Sequence, residues 1–163
     1  MTAGQKRGPL SPTLLRQPVH FLALGFGAGL SPVAPGTVGT LIAVPIVWSI
    51  TQIAPWALAV FAVLSAVAGV YICGESARRL GVHDHSGIVW DEITGYALTL
   101  APVAPDLWSF VLGFALFRAL DIFKPWPIRE ADHRLHGGLG IMLDDVLAGV
   151  FSGAILFALR AFF

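Results

Sequence analysis

The sequence predicts an all-α fold, a polytopic helical membrane protein of about five to six helices with a proline-interrupted helical hairpin. Three observations carry this. Hydrophobic residues make up 56% of the 163-residue chain and charged residues only 12%, where a soluble domain is nearer one quarter charged. Mean hydropathy is +0.76, more apolar character than one small water-soluble core can bury. Four long apolar stretches, Val38 to Ile53, Trp56 to Cys73, Tyr96 to Phe117 and Leu139 to Phe163, divide the chain. They approach the roughly 20 residues that a spanning helix needs.

Taken in order, residues 1–18 are polar, carry Lys6, Arg7 and Arg16, and read as a disordered cytoplasmic tail. No signal-peptide pattern follows it. Residues 19–163 then form a single helical domain. Val19 to Leu30 is too short to span and reads as an interfacial or re-entrant helix. Val38 to Ile53 contains Pro45, expected to kink or locally break it. Trp56 to Cys73 fits a full span. The next stretch is interrupted by Ala101-Pro102-Val103-Ala104-Pro105-Asp106. Prolines so close stop a helix, which predicts one helix over Ile88–Ala101 and a second over Asp106–Ile122. Leu139 to Phe163 supplies the last helix.

The bases alternate with these elements. The turns Thr51–Pro55 and Ala101–Asp106 carry none, while Arg78 and Arg79 fall in one connection and Arg118, Lys124, Arg129 and Arg134 at or in another. The positive-inside rule places the tail and both basic connections in the cytoplasm. About five crossings follow, N-terminus inside, with Arg160 a small counter-signal that can snorkel. Ten acids balance ten bases, so no global field favours nucleic acid. The single cysteine, Cys73, excludes an internal disulfide and a multi-cysteine zinc site. In its apolar run it reads as a small buried hydrophobe.

The polar residues that remain gather on the cytoplasmic side. Asp91-Glu92 opens the first half of the hairpin, where a simple role at the positive end of the helix dipole competes with a site. Gly95, one turn on, leaves room for a close neighbour. Asp144-Asp145 is sharper, because it lies inside Gly140-Ile141-Met142-Leu143-Asp144-Asp145-Val146-Leu147. Each carboxylate costs about 2.5–3.5 kcal/mol to place in such a helix, so it needs a cation, water or a metal. Hard carboxylate oxygens suit Mg²⁺ or Mn²⁺. Arg118, Asp121 and Lys124 share a helical face by their spacing of three. An ion-pair ladder explains them, with Asp121 orienting a base, and so does binding of a phosphate by Arg118 and Lys124.

Thr37, in Gly36-Thr37-Val38-Gly39-Thr40, reads as the N-cap of a helix starting at Val38. The N–H groups behind it can receive an anion, although the glycines of Gly25 to Gly39 suit close helix packing equally well. His83, His85, His133 and His136 fall in the basic connections without zinc-site spacing. His85, beside Asp84, is the histidine placed for proton transfer. Nucleophile-elbow, P-loop and dinucleotide fingerprints are absent from the sequence, so metal-assisted attack by water is the indicated chemistry.

Four runs resemble the bacterial phosphatidylglycerophosphatase A family. They are Gly29-Leu30-Ser31-Pro32-Val33-Ala34-Pro35-Gly36-Thr37, His83-Asp84-His85 through Val89-Trp90-Asp91-Glu92, Phe117-Arg118 through Asp121 to Lys124-Pro125-Trp126-Pro127-Ile128, and Gly137-Gly138-Leu139-Gly140-Ile141-Met142-Leu143-Asp144-Asp145. The resemblance implies a Mg²⁺-dependent phosphate-monoester hydrolase of the bacterial inner membrane, multi-pass, with its active site facing the cytoplasm. It would convert the membrane lipid phosphatidylglycerophosphate to phosphatidylglycerol and phosphate. On that implication Asp84, Asp91, Glu92, Asp144 and Asp145 form the metal pool. Asp91, Glu92, Asp145 or His85 serves catalysis, and Arg118, Lys124 and Thr37 bind the substrate. A small ion-coupled transporter and a non-catalytic membrane scaffold are the competing classes. Gly69, Gly113, Ala148 and Gly149 also permit a homo-oligomer.

Overall fold

The computed structural model describes residues 10–82, 84–130 and 136–162, and every described element is helical. The expectations for residues 1–9 of the tail and for His83, His133 and Arg134 lie outside the described residues. Within the rest of the expected tail, Pro12–Arg16 forms a 3-10 helix whose Ser11 cap accepts from Thr13 N–H. Then come α1 (Pro18–Ala23), a second 3-10 segment (Gly25–Leu30), α2 (Pro35–Thr51), α3 (Ala57–Leu80), α4 (Trp90–Leu100), α5 (Leu107–Phe123) and α6 (Gly137–Phe162).

The segment expected as one interfacial helix is thus two. Gly25 (φ 53), Phe26 (φ 59) and Gly27 (φ 110) are all left-handed and turn the chain back on itself. Its backbone lies hard against the loop before α4: a Cβ on Gly29 would fall 1.8 Å from the Gly87 carbonyl oxygen. Val89 N–H donates to Ala23 O at 2.8 Å. His20, buried in α1, ties this unit to α3 through a 2.9 Å hydrogen bond between Nδ1 and Ser76 Oγ. Burial holds the His20 pKa below its ordinary value of 6.5, with the nearby Arg79 charge acting in the same direction.

Three further details differ from expectation. Pro45 does not break α2, which runs through it. The ring lies on the exposed side of the helix, and Ser49 Oγ donates to the Pro45 carbonyl at 2.8 Å. Arg78 and Arg79 belong to the last turn of α3 rather than to a connection. There both pair with Glu75 at 2.7 Å, an arrangement favoured at a helix C-terminus, and left-handed Gly81 ends the helix. The hairpin is present, but its first arm starts at Trp90 and is only 11 residues long.

That short arm is the centre of the molecule. α4 packs against α2, α3, α5 and α6, and Ile93, Tyr96 and Ala97 are fully buried. Tyr96 stands among Phe110, Phe114 and Phe117 and donates its hydroxyl to Phe110 O at 2.9 Å. Surrounding helices present large apolar side chains outward, among them Leu41, Trp48, Val63, Leu64, Val67, Trp108, Val111 and Phe157. Such a continuous apolar exterior is what lipid solvates and water does not. Two helices, α3 and α6, are long and apolar enough to cross a membrane. α4, at about 16 Å, is too short to do so alone.

Candidate functional site

Glycine spacing decides how closely α4 and α6 approach. A Cβ on Gly149 would lie 2.4 Å from Gly95 O, and one on Gly95 would lie 2.8 Å from Asp145 O. The two backbones therefore touch, and no larger residue is tolerated at the crossing. Asp91 precedes Gly95 by four residues and Asp145 precedes Gly149 by four. The same crossing thus aligns the carboxylates one turn above it. Thr99 Oγ1, one turn below, donates to Gly95 O at 2.9 Å.

The result is a convergence of acids. Asp91, Glu92 and Asp145 each place an oxygen within 4.8 Å of the others. Asp91 and Asp145 are buried and Glu92 is nearly so. Asp121 of α5 lies near enough to Asp145 for their charges to interact. Two bases border the group. Arg118 Nη1 is 2.5 Å from Asp121 and 3.8 Å from Glu92. Lys124 Nζ is 2.5 Å from Asp144. Lys124 caps α5 in the left-handed region (φ 42), a conformation that costs a non-glycine residue about 1 kcal/mol and recurs at functional sites.

α2 closes the group from the remaining side. Its first turn passes so close that a Cβ on Gly36 would lie 2.1 Å from Glu92 Oε1 and 3.3 Å from Arg118 Nη1. The cap of α2 is Ala34, left-handed at φ 45, and the helix starts at Pro35. Thr37 is therefore the third residue of the helix, not its cap. The Ala34 turn forces the start three residues earlier, and Pro35 suits a first helical position. Early N–H groups of a helix lack internal partners, so this end still presents donors beside Glu92 and Arg118.

Two of the sequence-derived candidates stand apart. Asp84 is exposed and is not among the three carboxylates whose oxygens converge. His85 is buried, but its Nδ1 accepts from Gly87 N–H at 3.0 Å, closing the turn that leads to α4. Asp144 is diverted to Lys124. Two residues beyond the sequence-derived candidates border the site: Asp121, expected only to orient a base, and Gly36. The Arg118-to-Asp121 spacing of three was a signal for the first. Nothing local marked the second.

The donor set fits a hard divalent cation. Three carboxylates crowd together in a largely buried site, where like charges need a counter-charge or a proton. Glu92 Oε2 and Asp145 Oδ1 are buried and have no hydrogen-bond partner among the described residues. Arg118 and Lys124 are already engaged by Asp121 and Asp144. All the converging ligands are oxygens, the preference of Mg²⁺ rather than of softer ions.

Comparison with known proteins identifies the family. The family model described as Phosphatidylglycerophosphatase A matches residues 21–160. The Escherichia coli (strain K12) protein named Phosphatidylglycerophosphatase A is 48% identical over 145 residues, covering 88% of this chain and 84% of that protein. Its Haemophilus influenzae namesake is 41% identical over 157 residues, covering 95% and 96%. A Bacteroides thetaiotaomicron protein, named as a candidate phosphatidylinositol-3-phosphatase, is 38% identical over 149 residues, covering 85% and 91%. No solved structure gives a significant match.

Proposed function

The chain belongs to the phosphatidylglycerophosphatase A family, and on that premise we propose that it hydrolyses the phosphate monoester of phosphatidylglycerophosphate at the cytoplasmic side of a bacterial inner membrane. The observation that carries the reading is the buried convergence of Asp91, Glu92 and Asp145 beside Arg118. An acid cluster bordered by bases suits a dianionic phosphate only if a cation intervenes. Asp91, Glu92 and Asp145 would hold Mg²⁺, which when bound supplies the positive charge that draws the phosphate to the acids and offsets charge developing in the transition state.

The chain's own groups do the rest. Arg118, fixed by Asp121, presents a guanidinium whose Nε is buried and has no partner among the described residues. Phosphate oxygens are its natural acceptors. Lys124 reaches the phosphate from the far rim, with Asp144 setting its position, and the first N–H groups of α2 add donors. One carboxylate of the group accepts a proton from the attacking water. The water oxygen bonds to phosphorus, the bond from phosphorus to the glycerol oxygen breaks, and that oxygen leaves as a hydroxyl after taking up a proton. A transporter would need acids reachable from both faces. Here they sit at one end of α2, α4 and α5.

The test is phosphate release from phosphatidylglycerophosphate by detergent-solubilised protein. Release is expected with Mg²⁺, none with excess EDTA, and recovery on adding the ion back. Phosphatidylinositol 3-phosphate, suggested by the Bacteroides relative's name, is the comparison substrate. Equal release with and without EDTA would remove the ion from the reading, and no release from either lipid would remove the reading itself.

A further inference from the structure

A slot of about 150 Å³ opens sideways between α5 and α6, lined by Leu120, Pro125, Trp126, Ile128, Phe151 and Ile155. Its position relative to the charged rim follows from helix register. On α5, Leu120 lies four residues before Lys124 and so one turn below it. On α6, Phe151 and Ile155 follow Asp144 by seven and eleven residues and share its face. The 2.5 Å pair between Lys124 and Asp144 therefore spans the head of a slot whose walls are otherwise apolar. Trp126, 83% exposed, stands at its rim, the place an indole takes at a lipid headgroup boundary.

We propose that this slot seats one acyl chain of the lipid whose phosphate meets the carboxylate cluster, an inference that rests on the lipid-phosphate reading above. The occupant is identified by charge complementarity. A phospholipid monoester carries anionic oxygens over apolar tails, and the slot has apolar walls beneath the Lys124–Asp144 pair, on the side of the molecule that holds Arg118 and the carboxylate cluster. The larger groove at the opposite end of the molecule, about 420 Å³ between α2 and the hairpin turn, has Asp106 in its lining, which pairs with Arg160, and it lies at the other end of α2 and α5 from Arg118, Lys124 and the carboxylate cluster. Because bulk lipid is already apolar, seating a chain in the slot gains little by burial. Its effect is alignment: a chain fixed against Phe151 and Ile155 sets the height of the phosphate beside Lys124 and Arg118.

The experiment compares Ile155→Trp, which fills the slot, and Phe151→Ala, which widens it, on two substrates. One is dioleoyl phosphatidylglycerophosphate in mixed micelles. The other is the deacylated, water-soluble form of the same headgroup. Ile155→Trp is expected to lower kcat/KM for the lipid about tenfold and to leave the deacylated substrate within about twofold. Phe151→Ala, with its looser seat, should raise KM for the lipid alone. Unchanged lipid kinetics in Ile155→Trp overturns the proposal, and so does a parallel fall on both substrates. A non-hydrolysable lipid phosphonate with a photoreactive group in mid-chain gives an independent reading. Adducts are expected on the peptide holding Phe151 and Ile155 and should vanish in Ile155→Trp; adducts elsewhere overturn the proposal. If the wild-type protein releases no phosphate from either substrate, the hydrolase reading fails, while the adduct map still decides the slot.

Discussion

Under the proposed function, Asp145 couples stability to activity. It is buried beside Asp91, Glu92 and Asp121, and its Oδ1 lacks a partner among the described residues. Without a divalent ion, these neighbouring carboxyl groups repel one another with Arg118 alone among the described residues to offset them. Asp145→Asn should therefore lower phosphate release by at least about 100-fold, since charge placed at a reacting centre is commonly worth that much. In EDTA the same variant should melt a few degrees higher than the parent. Paired activity assays and thermal unfolding in detergent check both parts, and a variant that is inactive and also less stable in EDTA would point to an ordinary structural aspartate. Asp144, one residue earlier, should behave oppositely. Asp144→Asn removes the 2.5 Å ion pair with Lys124 and should destabilise the protein by about 1 kcal/mol, with or without the ion. The adjacent acids looked equivalent in the sequence because both interrupt one apolar run. Their 100° separation on α6 sends one to the cluster and the other to Lys124, and only packing reveals which.

At the scale of elements, the α4–α6 crossing and the docking of α1 make separable predictions. Gly149→Val would drive side-chain atoms into the Gly95 carbonyl, whose oxygen lies 2.4 Å from where a Cβ at this position would fall. The helices must part by an ångström or more, and a shift of that size costs about 100-fold when reacting groups are aligned. Phosphate release should fall accordingly while the helix content measured by circular dichroism stays the same; full activity in this variant would detach the crossing from the site. For α1, the sign follows from His20. Its folded pKa lies below 6.5, so the unfolded segment binds a proton more readily than the docked one. The docking contribution is present above pH 6.5 and is lost as pH falls through the lower folded value. Amide exchange over Val19–Ala23, corrected for intrinsic rates, should accelerate between pH 7 and pH 5, and His20→Gln should flatten that dependence. The elements themselves were largely legible. Apolar run length marked α3 and α6, and the proline pair marked the turn between α4 and α5. The left-handed run Gly25–Gly27 and the depth of α4 were not legible. Thr94, Gly95 and Thr99 give α4 a modest apolar pattern whose meaning, a helix enclosed on all sides, depends on neighbours distant in the chain.

For the whole molecule, the decisive quantity is the height of the site above the opposite surface. From Thr51 to Gly36 α2 rises about 22 Å, and from Leu107 to Arg118 α5 rises about 17 Å. The carboxylate group thus stands roughly 17–22 Å from the base-free turns, while the hydrocarbon core of an ordinary bilayer is about 30 Å thick. α3 and α6 continue past the site by two turns or more, ending in Arg78 and Arg79 on one and starting at Gly137 on the other. With the base-free turns at the opposite hydrocarbon boundary, as the proposed topology has them, a phosphate at the normal headgroup level would sit about 10 Å too high. Mismatch of this kind is met by local thinning of the bilayer, at a fraction of a kcal/mol per Å, which over such a distance sums to a few kcal/mol and grows with bilayer thickness. Membrane thickness should therefore act on turnover directly. In vesicles with substrate chains held constant, changing the host lipid from 14-carbon to 22-carbon monounsaturated chains should depress kcat/KM several-fold, and the deacylated substrate should show no such trend. The comparison isolates height from chemistry, because the soluble headgroup reaches the carboxylates without being lifted out of a bilayer. Identical lipid turnover in thin and thick vesicles would mean that the site lies at the interface, and that the two long helices, not the short central ones, set the position of the protein in the membrane.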